Sequence, residues 1–148
     1  QLTEEGVLEI KDHMPFHEVV KELQASDVGI SLVLPVDMAH RFAQPRKLYE
    51  YFAAGLPVIV ADVPTLRRIV IENEVGEVVD PTSPVSIAEA IVMLGGDQER
   101  RYQYGKNARN AFETKYNWDV GLITLQETFA AIKRPIRIPN NNGKASST

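Results

Sequence analysis

The 148-residue chain contains no cysteine, which excludes a disulfide framework, a thiolate metal site and a cysteine nucleophile. Its three histidines, His13, His17 and His40, are too few for a multi-histidine metal centre. Twenty acids against 16 cations leave a net charge of −4, so the basic surface of a general nucleic-acid binder is lacking. No apolar run approaches the roughly 20 residues needed to span a bilayer. No secretory signal pattern opens the chain. What is there is globular: 44% hydrophobic and 24% charged residues argue against wholesale disorder. A single cytoplasmic α/β domain, or a piece of a larger one, is the expectation.

The composition changes near the end. Residues 134–148 read RPIRIPNNNGKASST, with three cations and no acid. Such a segment cannot bury enough apolar surface to offset its ordering entropy, so a disordered tail is expected there. The remaining 1–133 carry 13 cations and 20 acids, a net of −7, and form the expected folded domain.

Within it, short apolar runs alternate with amphipathic segments. Val7 to Ile10 reads as a strand, and His17 to Ser26 as a helix carrying Val19, Val20 and Leu23 at helical spacing. Val28 to Leu34 and Pro57 to Ala61 are nearly continuous apolar runs, which suit parallel strands covered on both faces. Between them lies a loop from Val36 to Gln44. A helix then opens at Pro45, a residue suited to a first helical position, and closes at Gly55. Further on come a helix over Thr65–Glu72, a strand over Gly76–Asp80, and a helix from Ser83-Pro84 to Leu94. Ile87, Ala88, Ile91 and Val92 form its expected stripe, and Gly95-Gly96 its end. Two more helices are expected, over about Gln98–Tyr116 and Asp119–Lys133. Strands alternating with helices predict a parallel sheet with right-handed crossovers. Four strands are fewer than the five or six of a doubly wound domain, so the chain reads as the later part of one.

The window Arg41 to Ala61, RFAQPRKLYEYFAAGLPVIVA, holds the candidate chemistry. It is a loop, a helix start and a strand, the place where α/β sheets bind anions through free amides and the helix dipole. From Arg41 to Arg68 there are five cations (Arg41, Arg46, Lys47, Arg67, Arg68) and two acids (Glu50, Asp62). This island suits a diphosphate, and ordinary solvated charge explains it as readily. Glu50 follows Lys47 by three residues, on one helical face. A carboxylate there can accept both hydroxyls of a ribose; a surface ion pair with Lys47 is the plainer alternative.

Pro45-Arg46-Lys47-Leu48-Tyr49-Glu50-Tyr51-Phe52-Ala53-Ala54-Gly55-Leu56-Pro57-Val58 resembles the Pro-x-Lys-x-x-Glu-Tyr-x-Ala-x-Gly-x-Pro-Val stretch of glycosyltransferase family 4, also called group 1. Ala25-Ser26-Asp27-Val28 with Leu34-Pro35, then Ala61-Asp62, Gly76, Val79-Asp80-Pro81 and Tyr116-Asn117-Trp118 are similar to the family's flanking segments in order and spacing. The resemblance covers about residues 7–132. It implies a Rossmann-like parallel sheet with helices on both faces. That would be the C-terminal, donor-binding half of a GT-B glycosyltransferase, with the first strand-helix units missing.

It further implies a retaining transfer of a sugar from an NDP-sugar, used as substrate, with neither cofactor nor metal. The acceptor, a sugar or a lipid-linked one, would be held by a missing N-terminal domain. Any membrane association would be peripheral and through that domain. Glu50 matches the family's ribose-binding glutamate. The amides of Ala43, Gln44 and Arg46 match its diphosphate loop, with Lys47 a side-chain partner and Arg41 in the same island. Asp12-His13-Met14 match the turn whose backbone reads the base, although His13 is equally readable as an exposed turn residue. Phe42 stands where many members carry the first glutamate of a Glu-x7-Glu pair, so the hold on the transferred sugar is weakened. Two other functions stay open, a non-catalytic GT-B-like binding or scaffold module and a fragment of a nucleotide-sugar 2-epimerase.

Overall fold

A computed structural model describes residues 6–132. The tail expected over 134–148 lies outside the described residues. Three parallel strands, β1 (Gly29–Ser31), β2 (Val58–Ala61) and β3 (Gly76–Val79), form one sheet in the order β1-β2-β3. Ile30 pairs with Ile59 and Val60 with Val78. Helix α1 (Phe16–Gln24) precedes β1. A one-turn helix α2 (Met38–Arg41) and then α3 (Arg46–Ala54) join β1 to β2, and α4 (Pro64–Asn73) joins β2 to β3. Helices α5 (Pro84–Gly96) and α6 (Gln98–Thr114) follow β3. Among the described residues, those from Trp118 form a separate unit containing the helix α7 (Trp118–Ala131).

The alternation of side chains along β2 builds the core on both sheet faces. Val58 and Val60 face Leu48 and Phe52 of α3, Leu66, Ile69 and Val70 of α4, and Ala108 and Ala111 of α6. Ile59 faces the other way, toward Val79, Ala90 and Leu94. All of these are buried, and each large apolar side chain removed from water in this way stabilises the fold by about 1.5–3 kcal/mol.

Four expectations are corrected. Val7 to Ile10 does not form a strand; Val7 and Ile10 are 72% and 78% exposed. A strand is stabilised by a ladder partner and one covered face, and this run has neither among the described residues. Among the described residues the sheet therefore has three strands rather than four. The loop from Val36 contains α2, because Asp37 caps it: Oδ1 accepts from the His40 amide at 2.9 Å. The stripe expected on α5 is turned. Ala90 and Leu94 are buried and Ile87 packs beside them, whereas Val92 is 73% exposed. Gly95 and Gly96 complete α5 instead of ending it, and the stop is Asp97, whose Oδ1 accepts from the Arg100 amide to cap α6.

Helix α3 is seated by its end. Pro45, expected as its first helical residue, is instead its N-cap, and the helix begins one position later at Arg46. Gly55 closes it in the left-handed conformation (φ 74°), its amide donating to the Phe52 carbonyl at 3.0 Å. Gly105 of α6 lies directly on this turn. A Cβ there would overlap the Gly55 carbonyl oxygen, so glycine at 105 lets α6 cross the end of α3. Arg109 secures the crossing, its guanidinium donating to the Ala53 carbonyl at 2.5 Å.

Candidate functional site

Helix α3 follows β1, so its first turn lies at the carboxyl-end rim of the parallel strands, where open α/β sheets receive ligands. Leu48 and Phe52 anchor the buried face of α3, and Arg46, Lys47 and Glu50 project from the rest of it. Arg46 Nε donates to Glu50 Oε1 at 3.0 Å. The Glu50 side chain is 24% exposed and that of Arg46 88%. Lys47 is exposed and forms no ion pair with a described residue. Glu50 therefore takes its partner from the i,i+4 position and not from Lys47 at i,i+3. In this order, cation before acid, the pair on an exposed helix contributes only a few tenths of a kcal/mol.

The loop before α3 is partly self-occupied. The Arg41 amide donates to Asp37, the Phe42 amide to Met38 and the Ala43 amide to His40, the last at 3.3 Å. The His40 amide and ring both reach Asp37, and the hydrogen bond from that amide is the main reason its carboxyl sits below the usual range. By contrast, the amides of Gln44, Arg46 and Lys47 donate to no other described backbone carbonyl. The Gln44 side chain accepts from the Tyr49 hydroxyl at 3.2 Å. Phe42 is 56% exposed and brings no carboxylate.

The cation island is thinner than its formal charge suggests. Arg67 donates to both oxygens of Asp62 at 2.7 and 2.8 Å, which lowers the Asp62 pKa. Arg68 is paired with Glu72 at 3.2 Å. With Arg46 on Glu50, three of the five cations have carboxylate partners. Arg41 and Lys47 have none among the described residues.

Two clefts meet at Glu50. One, of about 580 Å³, is lined by Lys11, Asp12, His13, Met14 and Glu22 with Arg46 and Glu50. His13, Met14, Arg46 and Glu50, proposed from distant parts of the sequence, thus line one cleft. Arg41, Phe42, Ala43, Gln44 and Lys47 do not line it. The other cleft, about 600 Å³ and mostly apolar, runs between α1 and α3 past Phe16, Val20, Tyr49 and Phe112, again with Arg46 and Glu50. Sequence reasoning missed Lys11 and Glu22. Their Nζ–Oε2 contact of 2.6 Å ties the segment bearing His13 to α1, and it raises the Lys11 pKa. Eleven residues separate the two, so no local periodicity marks the pair. Among the described residues no group of three His, Asp or Glu is placed to hold a metal ion, and no helix is long and apolar enough to cross a membrane.

The sequence model of the family described as "Glycosyl transferases group 1" matches residues 9–111. An exopolysaccharide phosphotransferase of Streptomyces coelicolor is 34% identical over 101 residues, 68% of this chain and 10% of that protein. A D-inositol 3-phosphate glycosyltransferase of Xylanimonas cellulosilytica is 31% identical over 130 residues, 86% of this chain and 31% of that protein. A phosphatidyl-myo-inositol mannosyltransferase of Mycobacterium leprae is 33% identical over 85 residues, 57% of this chain and 22% of that protein. The chain spans a third or less of the length of these relatives.

Proposed function

The chain belongs to the group 1 glycosyl transferases, and on that premise we propose that it supplies the donor-binding part of a retaining enzyme that moves a sugar from a nucleoside-diphosphate sugar to an acceptor. The observation that carries this reading is the shared cleft of His13, Met14, Arg46 and Glu50. The base lies against the Asp12–Met14 segment. The ribose hydroxyls donate to the Glu50 carboxylate. The diphosphate meets the open amides of Gln44 and Arg46, with Lys47 adding charge from the first turn of α3.

Catalysis in this reading is electrostatic. As the glycosidic bond breaks, its electron pair goes to the leaving diphosphate. Fixed amide dipoles, the positive end of α3 and Lys47 stabilise that charge without reorganising. The acceptor hydroxyl has to be held against the anomeric carbon in a site closed to water, and that positioning is a large share of the rate. In the curated relatives most of the chain lies outside the matched part, so the acceptor wall is assigned there. The 148-residue chain alone therefore binds donor nucleotide without transferring sugar.

Calorimetric titration of the chain with UDP and GDP tests the assignment. Replacing Glu50 with alanine removes the ribose acceptor and should weaken binding by about 1–3 kcal/mol, the range for charge-assisted hydrogen bonds. Equal affinity in wild type and Glu50→Ala, both folded, would refute it.

A further inference from the structure

The carboxylate assigned to the ribose is already engaged. Arg46 holds Glu50 Oε1 at 3.0 Å, and both side chains line both clefts. A ribose whose two hydroxyls take both carboxylate oxygens competes with this guanidinium for Oε1. What happens to that guanidinium decides which ligands the cleft accepts.

Arg46 is the first residue of α3 and its side chain is 88% exposed, so it is not packed in place and can swing at little cost. Its own amide is one of those left open at the helix start. A phosphate close enough to accept from that amide is within reach of the same residue's guanidinium. We propose that Arg46 is a specificity-determining residue that makes this cleft select nucleoside diphosphates over nucleosides, by holding Glu50 when the cleft is empty and transferring to the phosphates when ribose takes the carboxylate. This rests on the reading of Glu50 as the ribose acceptor.

The exchange is lopsided in the required direction. A nucleoside breaks the Arg46–Glu50 bond and returns nothing to the guanidinium. A diphosphate offers Arg46 two or more anionic oxygens, which match its planar fork bidentately. Lys47, one position further round the helix, pairs with no acid among the described residues and has no such choice to make. It favours anionic ligands without penalising neutral ones.

Titrations of uridine, guanosine, UDP and GDP into wild type, Arg46→Gln, Lys47→Gln and Glu50→Gln test this. Arg46→Gln should bind the better nucleoside about twofold more tightly, the worth of an exposed i,i+4 pair. The same variant should bind the matching diphosphate at least about fivefold more weakly, the loss of one charge-assisted contact. Lys47→Gln should weaken the diphosphate and leave the nucleoside unchanged. Opposite signs for nucleoside and diphosphate in Arg46→Gln are the signature, since a general loss of positive charge leaves a neutral nucleoside unaffected. Same-sign changes, or no change, in Arg46→Gln while Glu50→Gln still weakens both ligand classes would overturn the role of Arg46 and leave the ribose assignment standing. Diphosphate binding that is indifferent to Glu50→Gln, or no binding of any of the four ligands, would overturn both.

Discussion

Removing the Ser31 hydroxyl should stabilise this protein. Ser31 is the last residue of β1, fully buried, and placed opposite Val60 in the ladder. Among the described residues its Oγ has no hydrogen-bond partner. A buried hydroxyl left unpaired costs about 1–3 kcal/mol relative to water. Ser31→Ala removes that cost and leaves a void of roughly one oxygen atom, about 15–20 Å³, which at about 24 cal/mol per Å³ returns roughly 0.4 kcal/mol. The net gain is then on the order of 1 kcal/mol. For a domain of this size it corresponds to a melting temperature higher by about 3–5 °C. Urea unfolding followed by circular dichroism would show a higher midpoint at an unchanged slope. A midpoint lowered by an equivalent amount would refute the reasoning, because it would mean that the hydroxyl makes a bond that holds β1 in place.

Gly105→Ala should destabilise the protein by about 1–3 kcal/mol, the usual cost of overpacking, since the added methyl meets the Gly55 backbone and not a yielding side chain; a denaturant midpoint within error of wild type would show that α6 can shift freely. Asp62 has a depressed pKa because Arg67 grips it, so its stabilising contribution is present above the usual carboxylate pKa near 4 and fades as the pH falls through the lower folded value. Melting temperature measured from pH 6 to pH 2 should therefore fall less steeply in Asp62→Asn than in wild type, and parallel curves would contradict the pairing.

Local chemistry made much of the fold legible. Gly55 needs a positive φ, Pro57 to Ala61 is apolar throughout, and Ser83-Pro84 is a cap followed by a first-turn proline; each of these settles its own conformation within a few residues. Val7 to Ile10 has strand-forming side chains, but strand formation belongs to a pair of segments and one of them cannot be read in isolation. On α5, nearly every position from Val85 to Leu94 is apolar or small. Periodicity therefore could not distinguish Ala90 and Leu94 from Ala88 and Val92, and packing against Ile59 and Val79 made the choice. The candidate site divides in the same way. Glu50 stood out through its spacing in a longer motif, whereas its sharing of a cleft with His13 and Met14 depends on how distant segments fold together. Arg46 as the partner of Glu50 was hidden, because i,i+3 and i,i+4 cations were both present and spacing alone does not choose between them.

The sheet has one consequence for how the chain behaves in company. β2 is saturated on both sides, whereas among the described residues β1 pairs only with β2, and the Tyr51 hydroxyl reaches the Ile30 carbonyl of β1. Backbone amides and carbonyls along such a rim accept any extended polypeptide, with little regard for its side chains. Val7, Leu8 and Ile10 of a second molecule form a segment of that kind, apolar and exposed. Association through this rim would weaken on dilution and respond little to added salt, since salt screens charges but leaves peptide groups as ready to pair as before.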